Sequence, residues 1–216
     1  FKIESNINNH YDLYTNANDG FVTSWYDQSG NSNDATQSTA ASQPKIVDGG
    51  VYLGEVAFNS NTTTLSFGDI ACGTTYSFFC ASPQLVNNFK IISGGGGAPK
   101  ISFEPSSPDL IVVVDNNFGI KKFITNNQFL NSDSLTSIIN ASTTTNVFYD
   151  GNASVTNPFT ISNNSTFNTL GGQAAGGVYE VILYNSDQSA NRFKIESNIN
   201  NHYDLYTNAN NGFVTT

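Results

Sequence analysis

The chain of 216 residues opens and closes on the same text, and that duplication limits what it can fold into more than any other feature. Phe1–Thr23 reads FKIESNINNHYDLYTNANDGFVT and Phe193–Thr215 reads FKIESNINNHYDLYTNANNGFVT, differing only in Asp19 against Asn211. An offset of about 192 residues exceeds the roughly 20 to 50 residues of a solenoid repeat and fits a whole domain with its own core. One fold must therefore close within each period. The expected organisation is the helix and linker of a preceding copy over residues 1–20, a domain over 21–186, a closing helix over 187–207 and the start of a further copy over 208–216. The chain starts inside a repeat with Phe rather than Met, so the lack of a leader says nothing about the full gene product.

Short runs rich in Val, Ile, Phe, Tyr and Thr alternate with clusters of Asn, Gly, Asp, Ser and Pro, which is the pattern of an all-β chain. Candidate strands include Phe21–Tyr26, Lys45–Val47, Val56–Phe58, Leu65–Phe67, Thr75–Ala81, Phe89–Ser93, Leu135–Asn140, Asn146–Tyr149, Thr166–Leu170 and Val178–Tyr184. With the further runs Lys100–Phe103, Leu110–Val114 and Gly119–Ile124, the number suits a two-sheet sandwich. Asp150-Gly151 marks a two-residue hairpin, because that turn needs positive φ at both positions. Ser93–Pro99, with four consecutive glycines, reads as a loop, since no Lys-Ser/Thr follows to make it a phosphate cradle.

One helix interrupts this pattern, inside the duplicated text. Ile195, Ile199, Tyr203 and Tyr206 recur at three and four residues after a capping Asp187 or Ser189, and Ile3, Ile7, Tyr11 and Tyr14 are their counterparts in the preceding copy. The apolar stripe of this amphipathic helix has to be covered by its own sandwich or by a neighbouring identical repeat. Inter-repeat packing through these eight residues is the expectation.

A formal charge of -9 with only 8 Lys and Arg argues against nucleic acid, which needs clustered cations. The doublet Lys121-Lys122 sits between Ile120 and Phe123, as on an ordinary strand. No run approaches the ~18 apolar residues of a membrane span, so no membrane insertion is expected. Cys72 and Cys80 lack the paired spacing of a zinc site and leave open either one disulfide or buried thiols.

The segment Trp25–Gln37, WYDQSGNSNDATQ, resembles the signature that opens concanavalin A-like, laminin-G-like jelly rolls. Gln43–Val47, the Phe58–Asn61 turn, Val147–Asn152 and Glu180–Tyr184 agree with that family in order, so that the likeness spans roughly residues 21–206. It implies an antiparallel two-sheet jelly-roll sandwich with one C-terminal helix per repeat. Relatives of this kind include arabinofuranosidase sandwiches, bacterial surface adhesins and phage or virus fibre modules, so the resemblance bears on fold more firmly than on activity.

Glycoside hydrolysis needs two carboxylates about 5 to 9.5 Å apart. Glu55, Glu104, Asp109 and Asp115 are the candidates, and none stands in a recognisable glycosidase motif. His10 and His202 are one repeat position, so a single domain cannot assemble a His-based triad or metal cluster. Asp27, Asn31, Asn33 and Asp34 form an oxygen-rich loop that suits calcium, although the same residues also build Asx-turns that satisfy their own backbone. Trp25 fits the core better than a sugar platform. Asn61, Asn140, Asn152, Asn163 and Asn164 match the glycosylation pattern. The expectation is a non-enzymatic, tandemly repeated structural or adhesive module of an extracellular filament or cell surface, contacting neighbouring repeats and glycans. An arabinofuranosidase-type enzyme and a virion fibre module are the alternatives.

Overall fold

A computed structural model describes residues 17–83, 89–95, 99–105, 109–114, 120–124, 133–141, 144–157 and 165–207. In chain order its strands are β1 (Gly20–Phe21), β2 (Ser24–Trp25), β3 (Ala35–Thr36), β4 (Lys45–Asp48), β5 (Val51–Phe58), β6 (Thr64–Gly73), β7 (Thr75–Ser82), β8 (Phe89–Ser93) and β9 (Lys100–Pro105). They continue as β10 (Asp109–Val114), β11 (Ile120–Ile124), β12 (Ser134–Ala141), β13 (Thr145–Tyr149), β14 (Asn152–Asn157), β15 (Ser165–Gly171), β16 (Gly176–Val178) and β17 (Glu180–Tyr184), and helix α1 (Arg192–Tyr203) closes the series.

All strand pairs described are antiparallel. They form an eight-stranded sheet, β11-β10-β9-β8-β15-β6-β3-β2, a five-stranded sheet, β14-β13-β12-β7-β17, and a smaller sheet, β1-β4-β5-β16. The two larger sheets enclose the main core: Leu65, Phe89, Ile92, Ile101, Phe167 and Leu170 from one meet Tyr76, Phe78, Cys80, Ile138 and Val147 from the other. This is the expected all-β sandwich of jelly-roll type, with a third sheet beside it.

The five-stranded sheet is buried on both faces, and the sequence of β7 says why. In Thr75–Ser82, Tyr76, Phe78 and Cys80 point into the sandwich while Phe79 and Ala81 join a second apolar cluster on the outer face. A strand with apolar residues in both registers needs cover on both sides. Helix α1 supplies it, laying Ile199 on Phe79, Ala81, Leu135 and Ile139, with Ile195, Tyr203, Leu205 and Tyr206 around them.

Three local expectations change. The run Phe21–Tyr26 is two strands in two sheets, because the amide of Val22 donates to Pro44 while the carbonyl of Thr23 accepts from Gln37. The helix begins after Asn191 with no side-chain cap, and Asp187 instead accepts the Ser189 amide in a turn ahead of it. Tyr206 lies beyond the helix, which ends on Asp204 at φ 53°, and is held by a two-bond clamp with the Asn200 side chain. The hairpin at Asp150-Gly151 forms as read, with φ of 47° and 76°. Both cysteines are free and buried, and burial pushes the Cys72 thiol up to about 11. No helix among the described residues is long and apolar enough to cross a membrane.

Candidate functional site

The outward face of the eight-stranded sheet carries a row of hydroxyls at its β2 edge. Register places Ser24 opposite Thr36 and Thr36 opposite Ser66. Their chain neighbours Trp25, Ala35 and Leu65 pack on the core, so strand alternation turns the three hydroxyl residues away from it. They line a shallow groove of about 480 Å³ together with Thr23, Gln37, Ser38 and Gln43.

The groove's amides are fixed in place. The Gln37 side chain donates to the Thr64 carbonyl and hydroxyl at 3.1 and 3.0 Å and accepts the Thr39 amide at 3.0 Å, while Gln43 donates to the Gln37 carbonyl at 2.9 Å. No lining side chain carries charge. Tyr26 follows directly after β2 and is 67% exposed. The groove offers hydroxyl donors and acceptors to a neutral polyhydroxylated ligand and no charged side chain to an ion.

The expected calcium residues come together in one loop, where both Asp27 carboxylate oxygens and one of Asp34 accept bonds from the loop itself. Asp27 accepts the Ser29 amide and hydroxyl at 2.8 and 2.7 Å and the Asn33 amide at 3.0 Å. These backbone donors hold its carboxyl below the usual carboxylate range. Asp34 accepts the Asp27 amide at 2.9 Å, and the Asn31 side chain donates to the Ser29 hydroxyl at 3.0 Å. Among the described residues no group of three or more His, Cys, Asp or Glu side chains is placed to hold a metal. The bond that Asp27 accepts from the Ser29 amide is that of an Asx-turn.

Of the residues expected to pack between repeats, Ile195, Ile199, Tyr203 and Tyr206 lie against the outer face of their own domain's five-stranded sheet. That face is apolar and is joined to the helix by the short segment 185–191. Ile3, Ile7, Tyr11 and Tyr14 lie outside the described residues. Trp25 is half-buried against the main core.

Among the candidate acids, Glu55 is half-buried and burial, then the Asp133 charge, raise its carboxyl. Asp133 accepts the Tyr179 hydroxyl at 2.9 Å, and Tyr179 stacks on Tyr203 at 5.4 Å between ring centroids. Nothing in the sequence around Asp133 singled it out. Glu104 and Asp109 stand on the paired strands β9 and β10, and Asp115 lies outside the described residues. The sequon at Asn140 is closed to modification: the side chain is buried, donating to Thr74 and accepting from Thr145.

No protein-family model matches the chain, and no curated protein matches it in sequence. Solved structures do share its fold. A GH54 α-L-arabinofuranosidase aligns over 88% of this chain and 53% of its own with a TM-score of 0.65 at 12% identity. An arabinofuranosidase complexed with arabinofuranosyl-α-1,2-xylobiose aligns over 83% and 50% with a TM-score of 0.56 at 14% identity. A structure of botulinum neurotoxin type C, described as dependent on two ganglioside molecules for cell entry, aligns over 91% and 52% with a TM-score of 0.52 at 9% identity. The chain spans about half the length of each. At such identities the likeness is one of fold, a β-sandwich shared by carbohydrate-active enzymes and binding domains.

Proposed function

We propose that this chain is a tandem-repeat structural and adhesive module of an extracellular filament, stalk or surface protein, each copy presenting a weak site for neutral glycan. The observation that carries the reading is the uncharged hydroxyl and amide groove over Ser24, Thr36 and Ser66. The duplicated text reaches the first lining residue, Thr23, whose counterpart is Thr215, and holds both the helix that closes one domain and the residues that enter the next, so an array of such domains would carry one groove per copy. Weak sites on one chain gain about 10² to 10⁴ in avidity without new contacts. Fold neighbours include proteins whose descriptions name arabinofuranosyl and ganglioside ligands, which is compatible with such a site.

The test is retention of multimerised protein on a panel of immobilised neutral polysaccharides, comparing the native chain with Ser66→Trp, which fills the groove from an exposed position. Retention of the native chain and release of the variant at equal melting temperature supports the reading. Equal retention of both, or retention on no member of the panel, sinks it. The hydrolytic alternative rests on Glu55 and Asp133. Release of arabinose from an aryl arabinofuranoside, lost in Glu55→Gln, would replace a binding module with an enzyme.

A further inference from the structure

The outer face of the five-stranded sheet binds a segment of which this chain holds a second copy. The apolar groups that α1 and the residues after it lay on that face have identical counterparts in the N-terminal sequence: Ile195, Ile199, Tyr203 and Leu205 correspond to Ile3, Ile7, Tyr11 and Leu13. The two residues of the clamp, Asn200 and Tyr206, correspond in sequence to Asn8 and Tyr14. A twelve-residue helix with three Asn has little intrinsic stability, so its helical state depends on the surface it docks upon. Two segments of this chain thus carry the sequence that the described docking surface holds.

We propose that this sheet face is an exchangeable docking surface whose second occupant is residues 1–15 of another molecule of the same chain. The face would recognise that segment through the same apolar contacts and the same Tyr203-type hydroxyl bond to the Tyr179 carbonyl, which α1 makes at 3.3 Å. What favours the resident helix is its tether and its anchor. Segment 185–191 is pinned to β7, where the Ser77 hydroxyl donates to Ser186 at 3.0 Å and accepts the Gln188 amide at 2.9 Å. Arg192, just ahead of the duplicated text, is buried in an ion pair with Glu196 and lies 3.8 Å from the Phe148 ring centre. Loosening the anchor should shift occupancy toward the incoming copy. In an array this exchange would knit neighbouring chains together. The inference rests on the tandem-repeat part of the proposed function and is independent of glycan binding, so either can fail alone.

Sedimentation of the full chain over a range of concentrations tests it, together with anisotropy of a fluorescent peptide of residues 1–15 added to the full chain. The expected result is a concentration-dependent dimer that Ile7→Asp abolishes without changing the melting temperature, and that Arg192→Ala increases. The peptide should bind, and its Ile7→Asp form should lose about tenfold or more in affinity. A chain that stays monomeric at every concentration, a dimer that survives Ile7→Asp, or equal binding of the two peptides overturns the proposal. So does a monomer whose melting temperature falls with Ile7→Asp, which would seat residues 1–15 on their own domain.

Discussion

Asp150 opens the turn between β13 and β14, accepts the Leu135 amide at 2.9 Å, and is partly buried. Burial, only partly offset by the Leu135 amide, pushes its carboxyl up from 3.8 to about 6. The folded protein thus holds this proton more tightly than the unfolded chain. Its contribution is complete below pH 3.8 and is lost as pH rises through about 6. Glu55 and Glu180 are raised in the same direction, so the effect of Asp150 must be read as a difference. Asn keeps the acceptor and tolerates positive φ without ionising. At about 1.4 kcal/mol per pH unit, reduced for partial exposure, Asp150→Asn should gain about 1 kcal/mol in urea unfolding at pH 7 and nothing near pH 4. A second residue-scale prediction concerns Asp27, whose oxygens already serve Ser29 and Asn33. EDTA should leave the melting temperature unchanged; a fall reversed by calcium would show that a cation displaces those bonds.

At the scale of elements, α1 is held less by helix propensity than by what it covers, and Arg192 concentrates that dependence. Glu196 is 2% exposed, so removing its cation leaves a buried charge unpaired. Arg192→Ala should cost about 3 kcal/mol, measured by denaturant midpoint at constant slope, and Arg192→Met with Glu196→Leu should recover most of it. If the single variant costs nothing, the pair is not buried in solution. The same element shows what was legible in the sequence. The apolar period of Ile195, Ile199 and Tyr203 identified the helix, and the apolar run of β7 identified a strand, because both are local patterns. The face that receives the helix was not decidable, since the stripe fits any apolar surface. Two-residue strands such as β2 and β3 were also illegible, as they exist only through pairing with distant residues, Ser24 with Thr36 and Thr36 with Ser66. The groove inherits that difficulty. Its lining runs from Thr23 to Ser66, and no short motif contains it.

For the whole molecule, the decisive quantity is how many grooves one chain can bring to one surface. Residues 204–211 separate the end of α1 from Gly212, the counterpart of Gly20 in β1. Even fully extended they span only about 27 Å, so in the proposed array successive domains would stay close and their effective concentration for a shared polysaccharide would be high. A net charge of -9 per chain opposes collapse of the array through self-repulsion. An uncharged groove also makes binding insensitive to ionic strength, unlike attraction between charged surfaces. Chains of one, two and four concatenated domains should therefore bind an immobilised neutral polysaccharide with apparent affinity rising at each step, by about 10² or more between one and four. The rise should persist in high salt and disappear when every copy carries Ser66→Trp. Surface plasmon resonance would record it. A four-domain chain that binds no more tightly than one domain would mean that multiplication of this fold acts through length or chain-to-chain contact rather than through repeated glycan sites.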